Sequence, residues 1–543
     1  MSDPELTDQR VRDGAIELGN RCVSSLGPFG GETLLETDDE TFVTKDFHRL
    51  LDHLEIANPG ARLLAAGAVE QKERVGDGSL SVVVLGGALL EQAGDLLEQG
   101  LTRTTIARGF HRASQVAVEA LPEYERPVTD GIDDPAVEGT IRAAFARRLA
   151  AEDDLVTAVA EAAAVVAADR RARNRSGFED LVFELNPEPG APAVELVRGV
   201  ILKRGPVHHG METTIESPTI AVVGGGKKAG TGIEERDLRR SGGRSGKGRT
   251  SVAYTPGSPE EIDEFDAYES AAVARQVRAL EQADVDAVFC TMGISDEAKT
   301  QLNEAGITAF RRLTSRMARH LARATGATVS MEVELVEPDM VGTAGRLRVF
   351  EADGDTYVRL DGCTDGSGAT LSFSRSIGDV SEEIERDVRT AIVSTLDLVD
   401  GGAVVPAGGG IETRLAAAVR EAARGTDDRT AIAMDAYADA LEEIPRALIR
   451  SSGADPLEEL PTLRAAGPSA GFDCFTGRIV DTDPAGPLLP SRVVRTVVES
   501  STELACQLVR VDGVLAADRP EESAVDAVDT TPDAERDFKW RRS

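Results

Sequence analysis

Gly76-Asp77-Gly78-Ser79 sets two glycines around one carboxylate, adds a hydroxyl and leads into a long apolar run. The glycines permit left-handed or tightly turned backbone and a close approach to a ligand. Ser79 is a good N-cap for a helix beginning there. A helix N-terminus offers unpaired N–H groups and partial positive charge, which suits phosphate. Asp77 would then lie beside that phosphate, and two anions repel unless a cation bridges them. Mg²⁺ is the usual bridge, held by one or two carboxylates plus phosphate oxygens. The stretch therefore reads as a Mg-nucleotide site. Taken alone, it also fits an ordinary Gly-Asp-Gly turn that caps a helix.

The elements that must position this turn are mostly helical. ANPGARLLAAGAVEQKERV carries apolar residues at helical spacing up to the turn, and SVVVLGGALLEQAGDLLEQGL continues beyond it. The unbroken apolar run Val82 to Leu85 predicts a buried helix. A second Gly/Pro turn lies upstream in SSLGPFGGETLLE, and Asp46 ends the strand-like run TFVTKD. Far downstream, Val404-Val405-Pro406 before Gly408-Gly409-Gly410 is strand-to-helix punctuation where a nucleotide can approach the backbone. Between these helical ends the chain changes character. TIAVVGG, DAVFCTMG, ITAFRRL and ATVSMEVEL read as strands with helices between them, an α/β layer.

Composition narrows the function classes. A chain of 543 residues implies several domains. No run of about 18 apolar residues occurs, so no membrane span is expected, and the polar, acidic start does not read as a signal peptide. Five scattered cysteines without a CxxC indicate neither a zinc site nor a disulfide framework, which fits a reducing cytoplasm. His208-His209, read as extended, point opposite ways and make a poor metal site. The net charge of −34 is spread along the chain. Salt screens such self-repulsion, the Debye length falling to about 3 Å at 1 M. We therefore expect a halophilic archaeal cytoplasm. The same charge disfavours nucleic-acid binding, and the basic stretch at 236–249 lacks aromatic interleaving.

The order LGPxG, Lys-Asp, GDGS resembles the group II chaperonins, that is, the archaeal thermosome and the eukaryotic cytosolic chaperonin. VRGVILKRGPVHHGM, RRLTSRMARHLARATGATV, VVPAGGGIETRLA and GFDCFTGRIVDTDPAG extend the resemblance over nearly the whole chain. It implies a multidomain α+β chaperonin fold. A mainly helical equatorial domain would comprise residues 1–130 and 401–518. A small α/β intermediate domain would comprise 131–200 and 362–400. An α/β apical, substrate-binding domain would occupy 201–361, with a helical lid protrusion at about 226–280 and a disordered acidic tail at 519–543. The Gly/Ser-rich basic half of that protrusion reads either as a solvated insertion or as a docking loop for acidic clients or lids.

The resemblance also implies ATP and Mg²⁺ as cofactors and unfolded proteins as clients. The subunit would work in a homo- or hetero-oligomeric double ring, without nucleic acid or membrane. Residue by residue, Leu26, Gly27, Pro28 and Gly30 would form a turn around the phosphates. Asp46 would lie near the γ-phosphate and the attacking water. Asp77 would be the Mg²⁺ ligand, and Gly76, Gly78 and Ser79 would wrap the phosphates. Gly408 and Gly409 would line the adenosine side, and Asp481 falls in a matched segment.

Several positions depart from the family pattern. Phe29, Phe47, Leu80, Ala407 and Leu489 stand where relatives carry Lys, Gly, a hydroxyl, Gly and an acid. Thr390 stands at the position of the intermediate-domain Asp that helps activate water. A threonine cannot accept a proton near neutral pH. Asp387 lies one helical turn earlier on roughly the same face and would be the substitute base. Arg147 or Arg148 aligns with a γ-phosphate sensor, or is a surface pair. The alternative function is a non-hydrolysing or weakly hydrolysing paralogue that serves as a structural, nucleotide-binding subunit of a hetero-oligomeric ring.

Overall fold

Ser79–Glu98 becomes a buried helix because its apolar side chains face every direction. Val82, Val83, Leu85, Leu89 and Leu90 are all buried, each stabilising by about 1.5–3 kcal/mol. The computed structural model describes residues 8–36, 41–44, 47–54, 56–145, 153–173, 181–188, 190–192, 194–224, 259–363, 368–374, 382–482 and 487–513. Within it, helices Asp8–Val23, Pro59–Val75, Thr430–Leu441 and Ser491–Arg510 pack on Ser79–Glu98. Asp8–Val23 crosses it glycine on glycine: a Cβ on Gly19 would lie 2.8 Å from the Gly87 Cα. Ser79–Glu98 is long and apolar enough to cross a membrane by composition; its place at the centre of a helical core accounts for that composition.

The termini of Pro59–Val75 show why the chain turns where it does. The Asn58 side chain accepts hydrogen bonds from the Gly60 and Ala61 N–H groups at 2.8 and 3.1 Å, and Pro59 opens the helix. Gly76 ends it at φ 80°, in the left-handed region that suits glycine.

Three further bodies of structure follow. Strand Ala369–Ser374 pairs parallel with Leu181–Asn186 and antiparallel with Val194–Val197. One hydrophobic core joins this sheet to helices Pro135–Phe145, Asp153–Arg173 and Glu382–Val399. A mixed sheet runs in the order Thr308–Phe310, Ala287–Cys290, Thr219–Val223, Val329–Ser330, parallel throughout, with Gly342–Thr343 antiparallel on Thr219–Val223. An antiparallel sheet of Val200–Leu202, Asp355–Asp361, Arg346–Ala352 and Thr214–Glu216 packs beside it. The second half of the expected protrusion is helical, as Pro259–Gln282, and its buried end packs on the mixed sheet.

Two local expectations are corrected. ATVSMEVEL was expected to be one strand, but only Val329–Ser330 pairs, and the chain turns through a short 3₁₀ segment at Val333–Leu335. His208 and His209 are not splayed: they sit in a turn with ring centroids 4.3 Å apart. Asp46, the pair Arg147 and Arg148, residues 225–258 of the basic stretch and the acidic tail lie outside the described residues.

Candidate nucleotide-binding site

Two helices begin at one cavity, each with a glycine at its N-cap. Ser79–Glu98 starts after Gly78 at φ 84°, and Gly410–Arg424 starts after Gly409 at φ 77°. This corrects the capping expectation: Gly78 is the N-cap, and Ser79 is the first helical residue. With glycine at both N-caps, no N-cap side chain stands between the cavity and the positive ends of the two helix dipoles. The cavity has a volume of about 360 Å³ and is lined by Gly76, Asp77, Gly78 and Ser79 on one side and Gly408 and Gly409 on another. Leu26, Gly27 and Pro28 line it as well, from the turn after Asp8–Val23.

The glycines are required by close approaches. A Cβ on Gly76 would lie 2.7 Å from the Thr390 carbonyl oxygen, so the turn and helix Glu382–Val399 touch backbone to backbone. Gly408, at φ 63°, accepts from the Phe472 N–H at 3.1 Å, and a Cβ there would strike the Phe472 carbonyl. The turn is also held by its own polar groups. Asp77 Oδ1 accepts from the Gly78 N–H at 2.7 Å. Gln71 Nε2 donates to the Asp77 carbonyl at 3.0 Å and to Thr496 Oγ1 at 2.9 Å.

Asp387 and Thr390 both line the cavity from Glu382–Val399, with Thr140 opposite on Pro135–Phe145. Phe47 lines it too and is buried. Two expected residues stand back from the wall. Gly30 lies behind the first turn, where its N–H donates to the Gly27 carbonyl at 3.2 Å. Asp481 is exposed at the end of strand Arg478–Asp481, outside the lining.

Sequence reasoning passed over Lys72, Asp473 and Glu412, which also line the cavity. Lys72 was legible in principle, one turn before Gly76 on the helix that delivers it. Glu412 was hidden inside the glycine motif; it is 7 % exposed, and burial pushes its carboxyl up to about 7. Among the described residues no group of three or more His, Cys, Asp or Glu could hold a metal alone. One carboxylate, Asp77, fits a cation that takes its other ligands from phosphate and water.

The TCP-1/cpn60 chaperonin family model matches residues 18–519. The chain belongs to that family. It is 30% identical to a thermosome subunit of Methanopyrus kandleri over 501 residues, covering 91% of this chain and 89% of the relative. Thermosome subunit 3 of Haloferax volcanii is 30% identical over 519 residues, 94% of this chain and 95% of the relative. Thermosome subunit alpha of Halobacterium salinarum is 31% identical over 502 residues, 91% and 85% respectively. The chain is thus a group II chaperonin subunit of mixed helix and strand. The cavity carries apolar side chains: Leu80 and Leu489 line it, and exposed Phe475 meets Phe29 edge-on, 5.3 Å between ring centroids.

Proposed function

We propose that this cavity binds Mg-ATP and that the subunit hydrolyses it while working on unfolded protein inside a double ring. The observation that carries the reading is the convergence of two helix starts with glycine N-caps, Asp77 and Asp387 on one cavity. The glycine turns and Lys72 would hold the phosphates, and Asp77 the Mg²⁺, which would neutralise phosphate charge. Asp387, with Asp46, would accept the proton of the attacking water. The non-hydrolysing alternative drawn from Thr390 is not favoured, since Asp387 lines the same cavity one helical turn away.

The cores support the proposed division into domains. Most buried residues from 11–121 and 405–509 share one helical core, the equatorial domain of this reading, with a small satellite cluster of Ile449, Leu460, Leu463, Phe472 and Cys474. Those from 128–194 and 369–404, together with Leu488, share a second, the intermediate domain of this reading, so Val128, Val404 and Leu488 pack across its expected bounds. Those from 200–363 form the two cores flanking the mixed sheet, the apical domain. Glu382–Val399 reaches from the second core to the cavity, so nucleotide in the cavity would bear directly on the hinge. Ring partners would be further thermosome-type subunits. The five cysteines are buried thiols, consistent with a cytoplasmic setting.

Steady-state ATP hydrolysis and Mg-ADP binding in multimolar KCl test the reading. We expect turnover and micromolar-range binding from the native chain, and loss of both when Asp77→Ala removes the cation ligand. Unchanged Mg²⁺-dependent affinity in Asp77→Ala would remove the cavity from consideration as the nucleotide site.

A further inference from the structure

Glu412 is the third residue of helix Gly410–Arg424 and is almost wholly buried, yet its Oε2 has no hydrogen-bond partner. Buried carboxylate oxygens are costly without a donor, and an orphaned one at the wall of a cavity points to a missing ligand group. Its hydrogen bond to its own backbone N–H serves the helix terminus. That bond leaves the second oxygen unexplained. Ser81, Ile444 and Leu489 line the cavity with it; Ile444 and Leu489 have no side-chain donor, and Ser81 makes no bond to Oε2.

We propose that Glu412 is a positioning residue that accepts a hydrogen bond from the nucleoside part of the bound nucleotide. The inference rests on the reading of the cavity as a nucleotide site. A phosphate is the wrong partner, because two anions repel and the positive helix ends at the glycine turns, with Lys72, already suit phosphate. The remaining donors on a nucleotide are its sugar hydroxyls and the exocyclic amino group of its base, and both present the same chemistry: a neutral O–H or N–H aimed at a carboxylate. A donor there favours the ionised carboxylate, so binding and deprotonation of Glu412 reinforce each other. The other charged groups on the wall are Lys72, Asp77, Asp387 and Asp473. On the helices packed against Gly410–Arg424, Asp439 and Glu442 pair with Arg420, and Glu443 pairs with Arg446. None of these differs between the native chain and a Glu412 variant.

The test is Mg-ADP affinity by calorimetry at pH 6 and pH 8, with saturating Mg²⁺, for the full chain and Glu412→Gln. Because the ionised acceptor is the competent form, native affinity rises as pH passes through about 7. Glu412→Gln, which keeps the shape, loses the rise and binds roughly tenfold more weakly at pH 8. 2′-Deoxy-ADP, 3′-deoxy-ADP and inosine diphosphate separate the two donors: the analogue lacking the donor loses the pH-dependent gain in the native chain. This arm stands even if Glu412→Gln fails to fold. Equal affinities of the two chains at both pH values, a native affinity that falls with pH, or an identical rise with every analogue overturns the proposal. A native chain that binds no nucleotide at all overturns the site reading itself, and Glu412 with it.

Discussion

In the proposed function, turnover would hang on Thr390 and Asp387. Both line the cavity from one helix, and only Asp387 is a base. Removing a positioned base costs about 10²- to 10⁴-fold in rate. We expect Asp387→Asn to lower kcat by that factor while leaving Mg-ADP affinity within a few-fold, measured by steady-state hydrolysis beside calorimetry. Hydrolysis unchanged by Asp387→Asn would assign the proton transfer elsewhere. Asp387 as the proposed base was legible from its spacing to Thr390. Its nearness to the glycine turn was not, because that depends on Gly76 and Thr390 touching across the fold.

At the scale of elements, polar groups fix how the helices around the cavity meet. Glu442 sits where Thr430–Leu441 gives way to Glu443–Ser451, with its side chain fully buried. Arg420 donates to both its oxygens, at 3.0 and 2.8 Å, and Arg464 Nε donates at 2.7 Å. Burial pushes the Glu442 carboxyl up, but the bonds and charges of Arg420 and Arg464 outweigh it and hold the carboxyl below its ordinary value. A depressed carboxyl contributes stability that is complete above its unfolded value and lost as pH falls through its folded value. Glu442→Ala should therefore destabilise by about 3 kcal/mol at neutral pH, the lower end for a broken buried pair because both arginines stay partly solvated. Denaturant melts of the two chains should converge on acidification below pH 4; a constant difference down to pH 2 would refute the role of the ionised form. Arg464 and Arg420 are ordinary charged residues in the sequence, and nothing local marks Glu442 as buried.

For the whole molecule, 94 acidic against 60 basic residues make self-repulsion the dominant long-range term. Many of the arginines are spent on local ion pairs such as Arg492 with Asp397 and Arg359 with Glu195. The rest of the acidic surface relies on screening. We expect the unfolding midpoint to rise between low and multimolar KCl; greater stability in low salt would contradict a halophilic adaptation. The same charge leaves the helical core intact as a design, because its stability comes from apolar burial that salt strengthens only indirectly.

The chain alone determined which backbone positions must be glycine, which side chains carry charge and which family the molecule belongs to. Those properties are local: a left-handed turn, a carboxylate or an apolar run keeps its character whatever surrounds it. Only the tertiary structure decided that the turns at 26–28, 76–79 and 408–409 share a wall with Asp387, and that Lys72, Asp473 and Glu412 join them. It also moved the cap from Ser79 to Gly78 and shortened one expected strand to Val329–Ser330. Burial and desolvation arise from segments far apart in sequence closing on one another, so a glutamate inside a glycine motif shows its raised carboxyl only once the fold has taken its water away.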